Sequence, residues 1–273
     1  MQILKLKQFA NALKPRPRDA HKGDFGHLLI VGGAPGYAGA VMLAAEAALR
    51  TGAGRVSVAT HPDHAAMLTG IRPEVMCHGI HTRDQLAELM AKATVLVLGP
   101  GLGRSGWSEA LFDEGCHFEK DMIVDADGLN RLSDKPAQKS NWILTPHPGE
   151  AGRLLKKSAA AVQQDRFSAV TELQQAYQGW VVLKGAGTWV KGPDSAPELC
   201  EDGNPGMATA GMGDVLSGVL GGLAAQGLPL GVVARLGVLL HAMAGDLAAK
   251  KGERGMIASD LMCYLRELVN RFS

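Results

Sequence analysis

Short unbroken apolar runs alternate along this chain with longer stretches in which apolar residues return every three or four positions. His27–Val31, Arg55–Ala59, Thr94–Leu98, Met122–Val124, Trp142–Leu144, Trp180–Leu183 and Thr188–Val190 are too short for helices and are predicted as buried strands. An almost wholly apolar helix is predicted from about Ala40 to Thr51, stopped by Gly52 and Gly54. Beyond Asp214, the residues Val215, Leu216, Val219, Leu220 and Leu223 recur at helical spacing until Gly227 and Pro229 end them, and a further helix is predicted over 230–251. Strands separated by helices in this way imply right-handed crossovers and an α/β fold, with a central mainly parallel sheet covered by helices on both faces. The polar stretch 133–141 is too short to be an interdomain linker, and no repeat or low-complexity tract occurs, so residues 1–273 are expected to form one domain.

Composition changes this picture in two respects. The chain has 35 glycines in 273 residues, about twice the usual share of roughly 7%, and they cluster where apolar runs end, as many strand-to-helix turns require. The 28 basic and 27 acidic side chains nearly cancel, so no long-range field draws in nucleic acid or an anionic membrane, and an anionic ligand must be held locally. Cys77, Cys116, Cys200 and Cys263 form no Cys-x-x-Cys pair and are expected to be reduced thiols of a cytoplasmic protein. The segment Met1–Arg18 lacks the apolar core of a secretory leader. No run of about 20 apolar residues free of glycine and charge marks a membrane span. His61, His64, His78, His81, His117 and His241 have no metal-ligand spacing and are read as surface or core residues.

Several loops carry candidate chemistry. Gly101-Leu-Gly103-Arg-Ser-Gly106 fits the dinucleotide-binding pattern after the strand Thr94–Leu98, with Asp125 about twenty residues on. Its mid-chain position and the stiffening Pro100 favour instead a substrate-contacting loop or a plain tight turn. The segment from Gly203 to Gly218 is more specific, because a glycine-rich loop there meets a strongly patterned helix with an acid at the junction. Gly211 and Gly213 let backbone N–H groups turn inward, and the helix N-terminus adds its positive dipole end, which makes an anion hole. Asp214 at its edge can deprotonate a hydroxyl that attacks a phosphoryl group; the bland alternative is that it merely caps the helix. Asp127 and Asn130 follow one strand, and His147 and Glu150 follow the next. Parallel strands bring such groups to one sheet edge, where they can converge with Asp214, or serve only as caps and turn residues. Lys184-Gly185-Ala186-Gly187-Thr188 can wrap a nucleotide phosphate, or be a simple hairpin turn.

Taken together, Lys22–Gly26, Gly99–Gly103, Asp125–Asn130, His147–Glu150, Lys184–Thr188 and Asn204–Asp214 resemble, in this order, the ADP/ATP-dependent NAD(P)H-hydrate dehydratases of the ribokinase-like superfamily. The resemblance covers nearly everything from Pro15 onward. It implies a ribokinase-like three-layer sandwich that removes water from the S form of hydrated NADH or NADPH, consumes ADP or ATP and releases phosphate. Many relatives carry an additional epimerase domain, so this chain is expected to be the stand-alone dehydratase. By the same resemblance Ala40, Gly103, His147 and Asp214 contact the hydrated dinucleotide, while Lys184 to Thr188 and Gly213 hold the adenine nucleotide. Mg2+ is expected to bridge the nucleotide phosphates, with Glu150 organising its water shell. The donor is expected to be ADP, and the protein a homo-oligomer such as a tetramer. A small-molecule kinase for a vitamin precursor or sugar, an NAD-dependent oxidoreductase built on Gly101–Gly106, and a nucleotide-binding module without catalysis remain as rivals.

Overall fold

The computed structural model describes residues 2–272. Ten strands, β1 (Gln2–Ile3), β2 (His27–Val31), β3 (Arg55–Thr60), β4 (Met76–Gly79), β5 (Val95–Leu98), β6 (Asp121–Val124), β7 (Trp142–Leu144), β8 (Trp180–Leu183), β9 (Thr188–Lys191) and β10 (Glu198–Cys200), form one sheet. The order across it is β1-β10-β9-β8-β7-β6-β5-β2-β3-β4. Every neighbouring pair is parallel except those of β9, which runs antiparallel to both β8 and β10. Seven strands lie where the apolar runs predict them. The other three lack such runs: β1 has two residues, β4 is a half-exposed edge strand, and β10 carries Glu198 beside Cys200.

Eleven α-helices complete the layers: α1 (Ala38–Thr51), α2 (Pro62–Ile71), α3 (Arg83–Lys92), α4 (Gly106–Gly115), α5 (Asp127–Asp134), α6 (Pro148–Leu155), α7 (Ala159–Gln164), α8 (Arg166–Tyr177), α9 (Met212–Ala225), α10 (Leu230–Ala249) and α11 (Leu261–Val269). One core packs α1, α9, α10 and α11 against Leu28, Ile30, Val97 and Ile123 of the sheet. The second packs α3 to α6 and α8 against Leu29, Leu96, Val124 and Leu144, the residues that alternate with them. This period-two division of each buried strand between two cores explains why the strands are apolar throughout. Helix α10 is long and apolar enough to cross a membrane by length and composition, although Gly231, Arg235, Gly237 and Asp246 interrupt it. Here Val233, Leu236, Leu239 and Leu240 are fully buried in the first core, so its hydrophobicity serves packing.

The chain steps from β2 outward through β3 to β4, then returns to place β5 on the other side of β2. A crevice opens at such a reversal, beyond the carboxyl ends of the strands. The turns after β2 and β5, and those after β6, β7 and β8, therefore share one edge. Helix α9 reaches that edge because it lies almost backbone to backbone on α1. A Cβ on Gly218 would fall 2.1 Å from the carbonyl oxygen of Ala44, so only glycine permits the approach.

Alanine in a helix interior gains up to about 1 kcal/mol over glycine in propensity, whereas overpacking costs about 1–3 kcal/mol or more. Gly218→Ala is expected to lower the urea midpoint; an unchanged midpoint would show that the two helices separate freely.

Candidate active site

Four strand ends deliver the polar groups. Asp125 follows β6 and is only 1% exposed. Its Oδ1 accepts from Lys184 Nζ at 2.6 Å and its Oδ2 from Ser217 Oγ at 2.8 Å, which ties β6, β8 and α9 together. The next residue, Ala126, has φ +49° and ψ −119°, a conformation that side-chain-bearing residues avoid at a cost of order 1–3 kcal/mol. Beyond this kink Asp127 opens α5 and serves a different group. Its Oδ2 accepts from the Gly103 N–H at 2.8 Å and its Oδ1 from Asn130 Nδ2 at 3.2 Å. Asn130 in turn accepts from Arg153 at 2.9 Å. Asp127 and Asn130 thus secure the Gly99–Gly103 turn, and this Gly103 N–H is turned to a carboxylate rather than outward to a pyrophosphate.

Asp214 is not the helix cap. Gly211, at φ +89°, is the N-cap of α9, and Asp214 sits in the first turn without a capping hydrogen bond. The opening amides of α9 have no partner within the helix and point at the same edge, where helix geometry leaves them available to an anion. Gly213 keeps the edge open: a Cβ there would come 3.3 Å from Lys184 Nζ and 3.6 Å from Asp125 Oδ2. Burial pushes the Asp214 carboxyl up to about 7, with the charge of Asp125 adding to the rise and the Lys184 ammonium opposing it. A carboxyl poised near neutrality suits a general base.

His147 caps α6. Its Nδ1 accepts from the N–H groups of Gly149 at 2.9 Å and Glu150 at 3.4 Å, so the proton of the neutral ring belongs on Nε2, which faces Glu150 Oε1 at 3.4 Å. Burial and the nearby Lys184 lower its pKa. The backbone-bonded reading of His147 is therefore realised, yet its side chain stays 52% exposed, open to a ligand. Glu150 is buried, accepts from the His147 N–H at 2.8 Å and lies 3.8 Å from Lys184. Burial raises its carboxyl to about 7 as well, against the pull of Lys184. Burial also works against the charge of Lys184, but the carboxylates of Asp125 and Glu150 outweigh it and raise the pKa of the ammonium.

The loop Lys184–Thr188 is the turn of the antiparallel β8–β9 hairpin. Arg166 pins it by donating to the carbonyls of Ala186 at 2.6 Å and Leu183 at 3.0 Å, while Gly185 and Ala186 remain exposed. Ala40, in the first turn of α1, lies 3.1 Å from where a Gly101 Cβ would stand, beside the Gly99–Gly103 turn. The predicted residues thus fall into three neighbouring groups: Asp214, Gly211 and Gly213 with Lys184, Glu150 and His147; Gly103 with Asp127 and Asn130; and Ala40. Asp125, which the sequence offers as the acid of a dinucleotide-binding turn, instead completes the site by pairing with Lys184 and Ser217; Ser217 and Arg166 also complete it and were not singled out from sequence. Ser217 was findable, since i+3 from Asp214 on a helix is the same face. Asp125 and Arg166 act through pairings that no local spacing reveals. Among the described residues no cluster of three or more His, Cys, Asp or Glu could hold a metal ion.

A family profile described as NAD(P)H-hydrate dehydratase matches residues 28–267. A bifunctional NAD(P)H-hydrate repair enzyme of Coxiella burnetii is 52% identical over 270 residues, covering 98% of this chain and 55% of the relative. The chain spans about half the length of this and several other curated relatives it matches. An ADP-dependent (S)-NAD(P)H-hydrate dehydratase of Neisseria meningitidis is 39% identical over 279 residues, covering 97% of this chain and 92% of that protein. In backbone the chain is similar to a ribokinase-like superfamily protein of Enterococcus faecalis, with TM-score 0.89, 26% identity and coverage of 100% and 96%. It is also similar in fold to a Bacillus subtilis ADP/ATP-dependent NAD(P)H-hydrate dehydratase crystallised with ATP and Mg2+, with TM-score 0.86, 24% identity and coverage of 100% and 99%.

Two outcomes follow from the electrostatics. A carboxyl raised to about 7 in the folded chain but ordinary, near 3.9, when unfolded binds its proton better on folding. Its contribution is fully present below the unfolded value and is lost as pH rises through the folded one. Asp214→Asn is therefore expected to raise the melting temperature at pH 8 but not at pH 4; an equal gain at both would contradict this. Asp125→Asn removes a like charge, so carboxyl 13C NMR should show Asp214 titrating lower than in the parent chain; an unmoved or higher titration would mean that Asp125 does not act on it.

Proposed function

We propose, from the premise that this chain belongs to the NAD(P)H-hydrate dehydratase family, that it dehydrates the S form of hydrated NADH or NADPH at the expense of ADP or ATP, regenerating the reduced cofactor. The observation that carries this reading is the half-buried Asp214, raised to about 7 beside free helix amides. The near-complete alignment with an ADP-dependent dehydratase supports ADP as the donor, which would leave AMP and phosphate.

On this reading Asp214 accepts the proton of the ring hydroxyl as its oxygen attacks the terminal phosphoryl group. The phosphoanhydride bond breaks, and the nucleotide leaves one phosphate shorter. The amides at Gly211 to Asp214 and the ammonium of Lys184 face the charge on the transferring oxygens. The hydroxyl has become a phosphate ester, a good leaving group. The ring nitrogen lone pair expels it, and loss of a proton from the neighbouring carbon restores the double bond. Ala40, Gly103 and His147 are read as the dinucleotide contacts, with Gly103 held in place by Asp127 and Asn130. Lys184 to Thr188 are read as the adenine-nucleotide loop.

Both Glu150 oxygens already face protein groups, and no three-ligand cage exists among the described residues. These residues fit an ion held chiefly by nucleotide phosphates and water, as Mg2+ usually is, with Glu150 touching its water shell. When bound, Mg2+ would neutralise charge on the phosphates. Four free cysteines support a reducing, cytoplasmic setting. Exposed Met67, Ile71 and Met76 beside the edge strand β4 support self-association.

Purified protein incubated with hydrated NADH and ADP is expected to restore dihydronicotinamide absorbance. Asp214→Asn should keep nucleotide binding but lose turnover by roughly a hundred- to ten-thousand-fold, the usual worth of a general base. No recovery with either ADP or ATP, or full turnover by the variant, would refute the reading.

A further inference from the structure

Helices α1 and α9 run away from the active-site edge, and at their far ends a second hollow of about 580 Å3 opens, bordered by residues 13–16, Thr51, Gln226 and Arg266. An adjoining hollow of about 610 Å3 shares Glu46, Arg50 and Arg266 with it. The proposed reaction uses neither. Together their walls carry seven lysines and arginines against three carboxylates, in a chain whose formal net charge is only +1. The positive charge of this protein is therefore concentrated here, and the remainder of the chain is net acidic.

Some of that charge is spent locally. Arg16 donates to the Gly52 carbonyl at 2.6 Å and Gln226 to the Thr51 carbonyl at 2.9 Å, which satisfies the end of α1 and blunts its negative dipole. Glu46 is shared between Arg72 at 2.6 Å and Arg50 at 3.3 Å. One carboxylate between two guanidiniums leaves a cation over. The Arg72 Nε is buried without a hydrogen-bond partner among the described residues, an arrangement that costs free energy unless an acceptor arrives. Lys14, Lys251, Arg254 and Arg266 line the same walls and make no side-chain hydrogen bond or ion pair among the described residues.

We propose that these hollows form a second anion site, separate from the reaction centre, that takes a small molecule bearing a diphosphate. Guanidinium forks match phosphate oxygens in geometry as well as charge. Each hollow alone lies within the range of roughly 300–1,000 Å3 usual for small-ligand sites, and Leu13, Leu49 and Val269 give the body of a nucleotide-sized ligand an apolar wall. The near-zero overall charge argues against a long polyanion, which is captured by extended basic surfaces. This inference does not depend on the proposed reaction.

Calorimetric titration of the whole chain with pyrophosphate tests it, without divalent metal and at about 0.15 M salt, where diffuse surface attraction is screened. The unaltered chain should bind two equivalents, one at the α9 anion hole and one at the distal site. Lys14→Gln/Arg266→Gln should retain one equivalent, with the second weakened about tenfold or more and the circular dichroism unchanged, since neither side chain holds a partner. Arg83→Gln/Lys135→Gln, on the opposite helical layer, should keep both. A single equivalent that the first variant retains undiminished, two undiminished equivalents in the first variant, or equal losses in both variants would overturn the proposal.

Discussion

The ion pair between Lys184 and Asp125 is the contact on which the arrangement of the strand-end edge depends. It joins the carboxyl ends of β6 and β8 at 2.6 Å, and Ser217 extends it to α9. Three carboxyls, those of Asp125, Glu150 and Asp214, act on this one ammonium. Removing either partner of a buried pair strands a charge whose desolvation costs several kcal/mol, so the pair is fixed by what its loss would leave behind. Asp214 and Glu150 both rise to about 7 in its presence, Asp214 because burial and Asp125 outweigh the Lys184 cation.

That electrostatic balance needs α9 in place, and α9 is placed by backbone contact with α1. The first turns of these two helices carry Ala40 and Asp214. Their last turns border the distal basic hollow. At 1.5 Å per residue, each spans about 20 Å. One rigid pair of helices therefore separates the two places where this structure gathers groups able to hold phosphate.

Much of the architecture was legible in the sequence, because strands buried on both faces leave unbroken apolar runs and glycines mark the turns between layers. The strands that escaped, β1, β4 and β10, lie at or near the sheet margins, where burial no longer imposes that pattern. In the site, Asp214, His147 and the Lys184–Thr188 loop stand out because glycine, proline and a helix start announce them locally. Asp125 differs: its role depends on the strained Ala126 turn, which sends Asp125 and Asp127 to different partners, and on residues 59 and 92 positions away. Arg166 likewise acts across the fold. The sequence leaves open that Asp214 is only a cap, and the structure removes that option by giving the cap to Gly211.

The central claim is that the ring hydroxyl is phosphorylated before it leaves, with Asp214 as the base. Hydrated NADH labelled with 18O in that hydroxyl, turned over with ADP, tests it most directly. The label is expected in the inorganic phosphate released, one atom per turnover, because the hydroxyl oxygen becomes the bridging oxygen of the ester. Label recovered in water instead, with unlabelled phosphate, would mean that the hydroxyl departs without attacking phosphorus, and would contradict the account.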